Sequence, residues 1–120
     1  MDNDYHYKLS ALNPKVAIIQ LKEQVLGGND AMYFSSKLEE IATKGVNFVI
    51  ADLSAVSLMN SSGLGMMVAG LSTLRKYKIN FVLASVPDKV NSLLEMTHLN
   101  KVFKIYVSVD AAEKVCAQSC

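Results

Sequence analysis

Two apolar runs determine the architecture of this chain: Asn47-Phe-Val-Ile-Ala-Asp-Leu53 and its near-copy Asn80-Phe-Val-Leu-Ala-Ser-Val86. Continuous apolar runs of this length are typical of strands that are buried on both faces of a parallel sheet. The residues between them, from about Ser61 to Tyr77, have the apolar spacing of a helix, and parallel strands need such a crossover connection. The sequence therefore predicts a strand–helix–strand unit at the centre of an α/β domain.

Upstream of this unit, a hairpin and a further helix are predicted. The segments Tyr5 to Leu12 and Val16 to Leu21 flank Asn13-Pro14-Lys15, where the proline presets the backbone angle of a turn. A helix from about Asp30 to Lys44 follows, because its apolar residues recur on one face. The following Gly45 is the kind of residue that commonly ends a helix.

Three further elements are predicted downstream of the second run. The first is a short helix that Pro87 opens and that continues to Met96. A strand from Lys104 to Val107 and a closing helix from Ala111 to Ala117 follow it. Right-handed crossovers must place the helices against the sheet. The predicted fold is therefore α/β: a mixed, mostly parallel sheet with an N-terminal hairpin, packed against helices. Residues 1–120 are expected to form one domain, since 120 residues support a single core.

Composition and charge limit the classes of function. The chain is 51% hydrophobic and 19% charged, which excludes a disordered tail. Twelve basic and eleven acidic side chains leave a formal charge of +1, and this balance argues against non-specific binding of nucleic acid. No apolar segment approaches the roughly 20 residues that span a bilayer. We therefore expect a cytoplasmic protein that contacts neither nucleic acid nor membrane directly.

Cysteine and histidine give no sign of a metal, cofactor or catalytic site. Cys116 and Cys120 lie four residues apart with no histidine nearby, whereas a structural zinc site needs four ligands. Reduced, inert thiols are expected at both positions. His6 and His98 fit ordinary surface or helix-end positions. No metal ligand, cofactor or catalytic residue is predicted.

The functional signal lies between the first run and the helix after it: Asp52-Leu-Ser-Ala-Val-Ser-Leu-Met-Asn60-Ser61-Ser62-Gly63-Leu64-Gly65. Chemistry in open α/β sheets concentrates at such carboxyl ends of strands. The polar residues Asn60, Ser61 and Ser62 suit a helix start, and the free N–H groups there tolerate an anion. A hydroxyl at this place can therefore accept a phosphoryl group. On the segment alone, an ordinary capped helix is the simpler interpretation.

The second face of the following helix lacks charge. Its buried stripe is predicted to consist of Leu64, Met67, Val68, Leu71 and Leu74. Its opposite face is predicted to consist of Met66, Ala69, Gly70 and Thr73. A solvated face normally carries Lys and Glu, so a small apolar face beside Leu58 and Met59 predicts a docking surface for a partner. The alternative is that another element of the same chain covers this face.

The segment from Asp52 to Gly65 resembles the signature of the STAS domain, and more narrowly that of bacterial anti-sigma factor antagonists. The element order is similar to the family along nearly the whole chain. In that family, the unphosphorylated antagonist binds an anti-sigma factor that is also a serine kinase, and thereby frees a sigma factor. The kinase then phosphorylates a loop serine, and a phosphatase restores the antagonist. The acceptor is the second serine of the family's Asp-Ser-Ser-Gly, which falls on Ser62 here.

The resemblance and the helix face together predict the site. Phosphorylation is expected at Ser62, and Asp52 is expected to organise the loop through hydrogen bonds to nearby N–H groups. The predicted partner-binding residues are Leu58, Met59, Asn60, Ser61, Ser62, Gly63, Met66, Ala69, Gly70 and Thr73. One departure matters, because Asn60 stands where the family has aspartate. Asparagine caps a helix as well as aspartate does. However, it lacks the negative charge of aspartate beside the acceptor serine, and this difference is expected to affect how the kinase recognises the loop.

The sequence also allows two other classes of function to be considered. STAS domains also serve as parts of transport and stress-signalling complexes, so a non-phosphorylated subunit of such a complex is the alternative. An enzyme with Ser62 as nucleophile is disfavoured, because Ser-Ser-Gly-Leu-Gly is not the Gly-x-Ser-x-Gly of a nucleophile elbow. Gly27-Gly28-Asn29-Asp30 also lacks the lysine and the glycine spacing of a phosphate loop, and is interpreted as a turn. A binding regulator, not an enzyme, is expected.

Overall fold

The structure, a computed structural model that describes residues 5–119, confirms the predicted α/β fold. Its strands are β1 Tyr7–Leu9, β2 Val16–Gln20, β3 Gln24–Val25, β4 Phe48–Asp52, β5 Leu58–Met59, β6 Asn80–Ala84 and β7 Lys104–Tyr106. Its helices are α1 Asn29–Ala42, α2 Ser61–Lys76, α3 Asp88–Met96 and α4 Val109–Ser119, with a short 3₁₀ turn at Leu99–Lys101.

The main sheet has five strands in the order β1-β2-β4-β6-β7. The predicted N-terminal hairpin is present, since β1 pairs antiparallel with β2. The other neighbours are parallel, and Ile50 of β4 lies between Ile18 of β2 and Val82 of β6. The two apolar runs are therefore adjacent central strands.

Burial on both sheet faces explains why these runs do not alternate with polar residues. On one face, Val49 and Ala51 of β4 join the larger core with α1, α2 and α3. On the other face, Ile50 belongs to a smaller cluster that α4 covers with Ala112 and Cys116. Each residue of a central strand thus meets a packed layer, whichever way its side chain projects.

Tyr5 ties the start of the described chain to α1. Its ring is buried and packs edge-on against Phe34, with 5.1 Å between the ring centroids. Its hydroxyl donates a 2.7 Å hydrogen bond to Oδ2 of Asp30, while Nζ of Lys22 binds Oδ1 of Asp30 at 3.1 Å. Burial raises the pKa of Tyr5, and the carboxylate of Asp30 raises it further. The N-terminal end of α1 is therefore held in place directly behind the turn at Gly27.

Candidate functional site

A second, two-stranded sheet positions the loop before α2. Strand β3 pairs parallel with β5, so that Gln24 lies opposite Leu58 and Val25 opposite Met59. The backbone N–H of Ser57 also donates to the carbonyl of Glu23 at 2.8 Å. As a result, the side chain of Leu58 is 49% exposed, whereas Met59 is partly buried against the core.

Asp52 is the last residue of β4 and forms hydrogen bonds at the exit from that strand. Its Oδ1 accepts a 3.0 Å hydrogen bond from the backbone N–H of Ser54, two residues on. Its carbonyl accepts from the N–H of Leu21, and the N–H of Leu53 donates to the carbonyl of Ala84, both at 3.0 Å. This is the self-bonded turn that a short carboxylate commonly forms.

Asn60 is the N-cap of α2, as its residue type predicts. Its backbone is extended, with φ of −111°, and its Oδ1 accepts a 2.8 Å hydrogen bond from the N–H of Gly63. Its carbonyl accepts the first bond of the helix, from the N–H of Leu64 at 2.9 Å. The N–H groups of Ser61 and Ser62 have no acceptor within the helix because of their position in its first turn.

We expect Asn60→Ala to lower the free energy of unfolding by about 1 kcal/mol, because Gly63 then loses its side-chain acceptor. Asn60→Asp restores the residue of the family signature and keeps the acceptor, so it is expected to retain the stability of the wild type. Urea denaturation of the three proteins checks this. Equal losses in the alanine and aspartate variants would show that the amide nitrogen of Asn60, and not its oxygen, stabilises the helix start.

Ser62 is the second residue of α2, and its side chain is exposed. No side chain in the part of the chain that the structure describes forms a hydrogen bond with its hydroxyl. Gly27, whose φ is +79°, packs directly against it, and a Cβ at position 27 would lie 2.8 Å from the Cβ of Ser62. The predicted turn at Gly27 and Gly28 therefore lies in contact with Ser62 through Gly27.

The predicted docking face of α2 is wrong at Met66 and Gly70. Met66 is only 4% exposed and belongs to the larger core. A Cβ at Gly70 would lie 2.9 Å from both Cδ1 of Leu38 and Cε2 of Phe34, which are side chains of α1. Helix α2 is therefore packed on two sides, by the sheet and by α1. The uncharged face that suggested a partner is largely the contact with α1, the alternative that the sequence left open.

The prediction that Gly63 contacts a partner is also wrong. It is buried, and a Cβ there would lie 1.8 Å from the carbonyl oxygen of Val25. The strand β3 approaches α2 so closely that no side chain fits between them. Gly63 therefore permits the close packing of the loop and does not contribute to an exposed surface.

The exposed side of α2 is a narrow row of small residues. Gly65 and Ser72 are exposed members that the prediction missed, Ala69 is exposed as predicted, and Thr73 is partly exposed. Their spacing of three and four residues from Ser62 onward is the signal that identifies this side. With the loop, the row forms what we call the α2 strip: Leu58, Met59, Asn60, Ser61, Ser62, Gly65, Ala69, Ser72 and Thr73.

Other features of the described residues bear on the classes of function considered above. No group of three or more His, Cys, Asp or Glu within residues 5–119 is arranged to hold a metal ion. None of the helices in the described part is long and apolar enough to cross a membrane. Cys116 is a buried thiol without a disulfide, and Cys120 lies outside the described residues.

Comparison with known proteins agrees with this arrangement. The anti-sigma-B factor antagonist of Staphylococcus aureus is 30% identical over 87 residues, which cover 69% of this chain and 81% of that protein. A candidate anti-sigma factor antagonist from Thermotoga maritima has a crystal structure with a TM-score of 0.77 at 26% identity, covering 93% of each chain.

A more distant structure shows the fold alone. The phosphorylated form of the Bacillus cell fate determinant SpoIIAA matches with a TM-score of 0.65 at 16% identity, over 92% of this chain and 99% of that one. The sequence model of the STAS domain matches residues 8–112. That match includes the main sheet apart from Tyr7, as well as the loop with its double serine, and it covers well over half of the residues. The chain therefore belongs to the STAS domain family.

Proposed function

We propose that this chain is an anti-sigma factor antagonist whose binding is switched by phosphorylation of Ser62. In its unphosphorylated form it binds an anti-sigma factor that is also a serine kinase, and a sigma factor is thereby released. The kinase then transfers the γ-phosphoryl group of ATP to the hydroxyl of Ser62, releasing ADP, and the complex separates until a phosphatase hydrolyses the phosphoserine to serine and inorganic phosphate. The setting is the cytoplasm, where sigma factors act.

The observation that carries the proposal is the exposed hydroxyl of Ser62 at the second position of α2, which forms no hydrogen bond within residues 5–119. Because Asn60 provides the helix cap, the fold does not need that hydroxyl. A phosphoryl group there meets the positive end of the helix dipole and the free N–H groups of the first turn. Modification is therefore compatible with the folded domain, which is required of a reversible switch.

The α2 strip supports the binding half of the proposal. Leu58 offers an apolar side chain that is half exposed, and Gly65, Ala69 and Ser72 allow a partner to approach the helix backbone closely. Phosphorylation of Ser62 places about −1.5 to −2 charges in the middle of this surface at pH 7. A docked partner would have to desolvate that charge against apolar atoms, which is costly. Loss of binding then needs no change of fold.

The comparisons support the general role. The S. aureus relative is an anti-sigma-B factor antagonist, and the chain covers most of its length. Ser62 acts in this proposal as the acceptor of a phosphoryl group.

Phosphopeptide mapping of the protein from its own cells, grown with and without stress, tests the proposal. We expect a phosphoryl group on Ser62 whose occupancy changes with conditions, and no modification in a Ser62→Ala strain. Proteins that purify with the Ser62→Ala variant are expected to include a serine kinase. The opposite result is a loop that is unmodified under every condition, together with a transport ATPase as the purified partner. It would identify the chain as a constitutive subunit of a transport complex, and it would point to Asn60 as the reason why Ser62 is not phosphorylated.

A further inference from the structure

One corner of the main sheet is left open at its β7 edge. Strand β7 begins opposite Val82 of β6, so Asn80 and Phe81 have no strand neighbour on that side within the described residues. Helix α4 crosses the sheet above this corner and ends at Ser119. A groove of about 380 Å³ opens at this corner, lined by residues from both faces of the sheet and far from Ser62 along α2.

The lining of this edge groove combines an apolar part with a polar part. Phe48, Val82 and Tyr106 line it from the sheet, and Val115 lines it from α4. Val115 is 45% exposed although it lies on the side of α4 next to the groove. Exposed aliphatic surface beside aromatic rings favours a ligand with a flat or branched apolar body.

Two cations line the same groove. Arg75 reaches it from the last turn of α2, and Lys104 from the first residue of β7. Within residues 5–119, neither has a carboxylate within ion-pair distance, and no Asp or Glu is among the residues that line the groove. The Nζ of Lys104 lies 5.9 Å from the ring centroid of Tyr106, so a cation and an aromatic face are adjacent.

From this combination we propose that the edge groove binds a small amphipathic anion, with an apolar body on Phe48 and Tyr106 and a carboxylate, sulfonate or phosphate on Arg75 and Lys104. The volume is that of a small-molecule pocket, at the lower end of the usual range of roughly 300–1,000 Å³. The anion supplies the anionic partner that neither cation has within residues 5–119, through charge-assisted hydrogen bonds in which the fork of Arg75 donates to two oxygens.

The edge groove is separate from the proposed switch. Arg75 and Ser62 lie at opposite ends of α2, about 20 Å apart at a rise of about 1.5 Å per residue. Binding at the groove therefore leaves Ser62 exposed, and the proposal stands or fails independently of phosphorylation.

Two matched fluorescent probes test the proposal on the full chain: 8-anilinonaphthalene-1-sulfonate and N-phenyl-1-naphthylamine, which has the same rings without the sulfonate. We expect the sulfonate to bind at least tenfold more tightly than the neutral probe. Removing both cations, with Arg75→Gln and Lys104→Gln together, is expected to abolish that difference. Amide shifts in ¹H–¹⁵N spectra with the sulfonate are expected at Phe48, Val82 and Tyr106.

The matched control removes two charges outside the groove, with Lys76→Gln and Lys78→Gln together, and is expected to bind the sulfonate as the wild type does. A thermal melt of each variant verifies that it is folded. Equal affinity for the two probes, an equal loss in the control, or shifts centred elsewhere would overturn the proposal. Amide shifts at the groove residues that appear when the protein is concentrated without a probe would also overturn the proposal, because they would show that a second copy of the chain occupies the groove.

Discussion

Met66→Lys is expected to lower the free energy of unfolding by about 4 kcal/mol, because it places an unpaired ammonium group between α2 and the core. Met66 is 4% exposed, so a lysine there reaches water only by forcing the helices apart. A change of this size removes much of the stability of a typical domain, which is about 5–15 kcal/mol. Thermal and urea denaturation of the purified variant measure it.

Two control substitutions separate burial from charge. Ala69→Lys introduces the same group three residues along α2 on the exposed α2 strip, and is expected to change stability by less than about 0.5 kcal/mol. Met66→Leu keeps the volume and is expected to cost less than about 1.5 kcal/mol. A stable Met66→Lys protein, with a melting temperature near that of the wild type, would mean that α1 does not cover this side of α2.

Ser62→Asp is expected to weaken binding of the partner recovered with the wild-type chain by about 100-fold, which corresponds to roughly 2.7 kcal/mol. The carboxylate lies in the middle of the α2 strip, where a docked partner must desolvate it. The stability of the free protein is expected to stay the same or to rise by about 0.5 kcal/mol, since an acidic group in the first turn of a helix is favourable. Calorimetric titration and a thermal melt give the two quantities.

A matched control places the same charge away from the strip. Ser36 is an exposed serine of α1, and Ser36→Asp is expected to bind the partner as the wild type does. Equal binding by the wild type and by Ser62→Asp would contradict the switch. A loss of binding in both aspartate variants would instead indicate a general effect of negative charge and not a contact at Ser62.

Local patterns were sufficient for the main sheet and the helix start. The runs that became β4 and β6 are apolar at every core position, and a strand buried on both faces is the arrangement that such runs favour. Asn60 was predictable as a cap because its side-chain oxygen acts within its own turn of helix. Neither inference depends on distant parts of the chain.

The second sheet was not predictable in the same way. Strands β3 and β5 have two residues each, too few to show an alternation of apolar and polar side chains. They pair because the chain before α1 and the chain before α2 meet at one edge of the domain. That meeting also requires glycine at position 63, where the carbonyl of Val25 occupies the space of a side chain.

Residue types alone establish that α2 has an apolar face without charge, and that Ser62 lies in the first turn of the helix, two residues after the capping residue Asn60. Which element covers that face depends on how the helices pack together in the folded domain. Helical spacing records how side chains are distributed around one axis, but it does not distinguish a partner protein from α1 of the same chain, since both exclude water equally. Phe34 and Leu38 of α1 pack against Gly70 and bury it. The exposed row on the other side of α2, from Ser62 to Ser72, stays accessible to solvent.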